Sequence, residues 1–183
     1  MPDFTDGIDF TATDPFTATL RAAERKLTKR ETGYPSKALL SWCDERGGLH
    51  VFTFRGEQPR IVVPAPSECP AILILAANAP PIDAPYNSTA AREVFFTLDF
   101  TGWLYTDDQE EAFRFWWLFL AAISKPYLKN DFDEFYGPGK VQNLEAYWAG
   151  PPSFTPWGRS EERLDGYVWS TDLTFRYALD LFR

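Results

Sequence analysis

From Gly166 to Phe182 the chain reads Gly-Tyr-Val-Trp-Ser-Thr-Asp-Leu-Thr-Phe-Arg-Tyr-Ala-Leu-Asp-Leu-Phe. Trp169, Thr171, Leu173, Phe175, Tyr177, Leu179 and Leu181 are mostly large and apolar, whereas Ser170, Asp172, Thr174, Arg176, Ala178 and Asp180 are polar or small. Side chains alternate faces along a strand, so this pattern predicts a long, half-buried strand with one aromatic face. Such a strand requires a sheet to receive it, and it ties the chain end down.

A chain of 183 residues suits one domain with a sizeable core. Apolar residues make up 45% and aromatics 17%, with seven Trp and sixteen Phe, which excludes a disordered chain. That aromatic content exceeds what a small monomer needs and points to extra surface buried between subunits. The net charge of −8 opposes general nucleic-acid affinity, which is driven by Lys and Arg. Two cysteines, Cys43 and Cys69, and a single histidine, His50, supply neither zinc spacing nor a disulfide framework. The N-terminus lacks a basic-then-apolar signal and no run approaches a membrane span, so a soluble intracellular product with no membrane partner is expected.

Residues 1–13 read as a polar arm with scattered aromatics. Asp14-Pro15 resembles an N-cap followed by proline at the first helical position, and Phe16, Leu20, Ala23 and Leu27 then recur at helical spacing. The other face carries Arg21, Arg25, Lys26, Lys29 and Arg30, either as a solvated basic face or as contacts to acidic neighbours or phosphate. Residues 38–63 predict a β-meander insertion built from Ala38 to Cys43, Leu49 to Phe54 and Arg60 to Val63, with turns at Gly47-Gly48 and Gly56. Ala71 to Leu75 is a short apolar run expected of a strand buried on both faces. Residues 78–92 form a long loop with three prolines, and loops of this length are functional or simply mobile.

Val94 to Tyr105 alternates as a second long strand. At Thr106 the period changes, and Thr106 with Gln109 fits a capping box at the start of a helix running to about Ser124. Asp107, Asp108, Glu110 and Glu111 favour the positive end of that helix rather than a metal site. Phe113, Phe115, Trp116, Trp117, Leu118, Phe119, Leu120 and Ile123 wrap most of its circumference, which requires burial nearly all round. Phe113, Trp116, Leu120 and Ile123 are expected on the protein's own sheet. Phe115, Leu118 and Phe119 are expected at a neighbouring subunit or the meander. After Pro126, Asp131-Phe-Asp-Glu-Phe-Tyr136 reads as an acidic aromatic loop, Val141 to Trp148 as a strand, and residues 149–165 as an exposed loop. The order predicts an α+β fold, a single domain over 1–183 with one mixed, largely antiparallel sheet and two principal helices.

The segment from Cys69 onward resembles the tail terminator proteins of lambda-like tailed bacteriophages. The resemblance rests on Pro70-Ala-Ile-Leu-Ile-Leu75, the strand from Glu93 to Tyr105, the helix from Asp108 to Ile123, and above all Trp169-Ser-Thr-Asp-Leu-Thr174. The helix at 15–31 also falls where the family has one. The resemblance implies a structural virion protein at the head-proximal end of the tail. Such proteins form a ring, expected to be a hexamer, that caps the tail tube, stops its polymerisation and joins it to the head connector. The implied partners are other copies of itself, the tail tube protein and the head–tail connector, with genomic DNA passing through unbound. In that setting Asp131, Asp133 and Glu134 are candidates for an acidic pore lining that repels DNA. Pro81, Ile82 and Tyr86 of the long loop are candidates for contact with the tube or a neighbour.

Two other classes compete. Cys43, Asp44 and His50 lie close in sequence, and a thiol with a base could act as a nucleophile. The pair spans the Gly47-Gly48 turn and nothing else resembles a hydrolase, so no enzyme, no catalytic centre, no metal and no cofactor is expected. An acidic inhibitor or DNA mimic would use the same size and charge, but would need denser carboxylates than the basic stretch from Arg21 to Arg30 allows.

Overall fold

The computed structural model describes residues 14–32, 34, 36–53, 64–78, 91–124, 129–148, 153–157 and 166–180. Its elements are α1 (Pro15–Thr28), α2 (Ser36–Asp44), β1 (His50–Thr53), β2 (Ala71–Asn78), β3 (Ala91–Leu104), α3 (Gln109–Ser124), α4 (Asp133–Tyr136), β4 (Val141–Trp148), β5 (Ser153–Trp157) and β6 (Gly166–Asp180). One mixed sheet is ordered β1-β2-β3-β6-β4, with β5 also paired to β6. Only β1 and β2 run parallel, so the fold is α+β with a largely antiparallel sheet, as expected.

The C-terminal strand lies inside this sheet. β3 pairs with β6 without interruption from Ala91↔Asp180 to Leu104↔Tyr167. The other edge of β6 is shared end to end: β4 covers Leu173 to Leu179 and β5 covers Gly166 to Ser170. Trp169, Thr171, Leu173, Phe175, Tyr177 and Leu179 are all buried, while Asp172 and Arg176 are exposed. On β3 the same side carries Phe96, Leu98 and Phe100, and on β2 it carries Ile72 and Ile74. α1, α2 and α3 cover this face, and the main core lies beneath them.

The opposite face holds a smaller cluster of Cys69, Ala71, Leu73 and Trp103. β2 is therefore buried on both sides, as its unbroken apolar run requires.

α1 begins as expected, with Asp14 Oδ1 accepting from Thr17 N at 2.9 Å. The cations on and just past it are largely matched within the chain: Arg25 pairs with Glu134, Lys29 with Glu31 at 3.1 Å, and Arg30 forks onto both oxygens of Asp44 at 2.6 and 2.8 Å.

Several expectations are corrected. Ala38 to Cys43, expected as the first meander strand, lies in α2, and Ser36, Leu39, Leu40 and Cys43 form its buried stripe. A short apolar run between Pro35 and Gly47 satisfies strand and helix alike, and packing of Trp42 on Phe115 at 5.6 Å selects the helix. Gly47 and Gly48, read as a hairpin turn, instead end α2. Both have positive φ (95° and 94°), and the N–H groups of Arg46 and Gly48 donate to Cys43 O at 2.8 and 2.9 Å. A left-handed glycine serves either use equally well. The third meander piece, Arg60 to Val63, lies outside the described residues.

The cap of α3 is Asp108, whose Oδ1 accepts from Glu110 N at 2.8 Å; Thr106 instead receives Asp108 N at 3.1 Å and donates to Glu111 at 2.7 Å. Residues 129–136 are not loop but a short 3-10 turn leading into α4, anchored by the fully buried Phe132 against Tyr177. Within 149–165, Ser153–Trp157 is a strand that, among the described residues, pairs only with β6, and proline is compatible with such an outer strand.

Candidate interaction surface

Viewed down its axis, α3 divides into two sides. Ala112, Phe115, Phe119, Ala122 and Ile123 are buried, at the i, i+3, i+7 spacing of a core stripe. Phe119 lies against Trp169 with ring centroids 3.9 Å apart and against Phe100 at 5.9 Å; Phe115 meets Trp169 at 5.8 Å. Phe115 and Phe119, expected at a subunit interface, are therefore ordinary core. Leu118, the third residue of that expectation, is half-buried and packs on the edge of the same core, as do Trp116 and Leu120.

The residue expected inward that is out is Phe113, 43% exposed; Trp117 beside it is 69% exposed. Periodicity alone permitted either assignment, because the helix is apolar nearly all round. Glu110, Arg114 and Ala121 carried the missing signal: they share one side of the helix with Trp117, directly opposite Phe119, and all three are exposed.

This exposed side borders a groove of about 610 Å³ between α2 and α3, lined by Trp42, Arg46, Asp108, Glu110, Glu111, Phe113, Arg114 and Trp117. Arg46 is held inside it. Its guanidinium stacks 3.8 Å over the Trp42 ring, Nε donates to Glu111 Oε1 at 2.5 Å, and Nη1 donates to Trp42 O at 3.0 Å. The groove thus combines aromatic faces with carboxylates, which is the chemistry that recognises a cation.

The other expected site residues are dispersed. Glu134 is tied to Arg25, Phe135 lies under the same guanidinium at 5.7 Å, and Asp131 is also engaged. Of the acids proposed for a pore lining, Glu134 therefore sits against the basic face of α1, where Arg25 offsets its charge. Asp133 is half-buried and its carbonyl accepts from Gly137 N at 2.7 Å. Pro81, Ile82 and Tyr86 lie outside the described residues.

Cys43 is fully buried on α2, and burial pushes its thiol up to about 12; His50 is exposed on β1 and its ring stacks near Phe52. A nucleophilic thiolate needs the opposite environment, a partly exposed and electropositive one.

One carboxylate pair was not anticipated. Asp99 of β3 stands directly across from Asp172 of β6 on the side of the sheet away from α1 and α3. Burial first, and Asp172 second, hold the Asp99 carboxyl above its ordinary range, with Thr101 Oγ1 donating to it at 3.3 Å as partial relief.

Compared with known proteins, the chain matches no family model and no curated sequence.

Proposed function

We propose that this protein is a ring-forming structural subunit of a tailed-phage virion, acting as a tail terminator that caps the tail tube and joins it to the head connector. The observation that carries the reading is Trp117, 69% exposed beside Phe113 on a helix whose opposite side already fills the core. Burying a side chain of this kind is worth roughly 1.5–3 kcal/mol, so the pair has ample driving force for a protein contact. A lone exposed aromatic is unremarkable, but two at i and i+4 beside a groove form a patch.

The assignment to a tail terminator comes from the resemblance. Its parts lie in a compatible order: α1, then β2, the long β3, α3 directly after it, an irregular stretch, and β6 opened by Trp169-Ser-Thr-Asp-Leu-Thr174. A net charge of −8 suits a ring through which DNA slides without sticking. Ring assembly needs surfaces rather than a nucleophile, which agrees with the buried thiol of Cys43.

Sedimentation velocity and negative-stain imaging of the purified protein, alone and mixed with tail tubes, test this reading. Closed six-fold rings, free or at tube ends, are expected. A monomer or dimer that ignores tubes at every concentration tried would remove the reading and favour the acidic-inhibitor alternative.

A further inference from the structure

We draw no further inference here: the strongest candidate, the exposed Phe113–Trp117 side of α3 bordering the groove with α2, is an aromatic patch carrying both Glu110 and Arg114, and nothing in the structure shows what covers it.

Discussion

Replacing Gly102 with alanine tests how the core is organised around β6. Gly102 and Trp169 are direct cross-strand partners, and the indole occupies the space a side chain at 102 would need. A Cβ at Gly102 would stand 2.0 Å from Trp169 Cζ2 and 2.1 Å from Cε2, far inside van der Waals contact. The ring has nowhere to retreat: it is 1% exposed and backed by Phe119 at 3.9 Å and Phe115 at 5.8 Å. Overpacking of this kind costs about 1–3 kcal/mol, and the ceiling is the roughly 3–5 kcal/mol lost when a buried tryptophan is removed altogether. At about 2–4 °C per kcal/mol for a chain of this size, Gly102→Ala should lower the Tm by several degrees.

The decisive measurement is the double-mutant cycle with Trp169→Ala, followed by urea denaturation and far-UV circular dichroism. With the indole gone, Gly102→Ala should be neutral or stabilising by a few tenths of a kcal/mol, since alanine restricts the unfolded strand more than glycine does. The sign of the effect therefore reverses between backgrounds. An equal cost in both would refute the reasoning, because it would place the clash somewhere other than Trp169.

Three further outcomes are expected. Phe119→Ala should cost about 3–5 kcal/mol of stability in denaturant melts, as a core truncation, rather than weaken assembly alone. Asp99→Asn should stabilise the protein at neutral pH by up to about 1 kcal/mol, the scale of a cross-strand charge pair. Because the folded state holds the Asp99 proton to higher pH than the unfolded chain does, the contribution of Asp99 to stability is fully present below the ordinary aspartate range and is lost as pH rises through the raised value; the difference between wild type and variant in urea melts from pH 4 to 7 should follow this loss. Cys43 and Cys69, both buried with thiols pushed up to about 12, should alkylate slowly at pH 8 in the native protein and readily in denaturant, as followed by intact mass.

The two long strands, the start of α1 and the class of the fold were legible in the amino-acid order, because each is a local matter. Alternation from Trp169 to Leu179 dictates which side chains share a face whatever lies beside the strand, and Asp14-Pro15 caps a helix through its own atoms. Other features were decided only by contacts made at long range. Ala38 to Cys43 is helical because Trp42 and Leu39 find a core under α3, although the same short apolar run would also serve as a strand. Gly47-Gly48 offers a left-handed backbone, and what precedes it determines whether that ends a helix or joins two strands.

The candidate surface was the least legible part, for the same reason. A helix apolar nearly all round has no preferred direction of its own, so its sequence could not say that Phe115 and Phe119 face inward and Trp117 outward. The hollow over Gly102, filled by Trp169 from the neighbouring strand, supplies the ring on which Phe115 and Phe119 pack. That orientation leaves Glu110, Phe113 and Trp117 on the outside, and only the paired sheet could specify it.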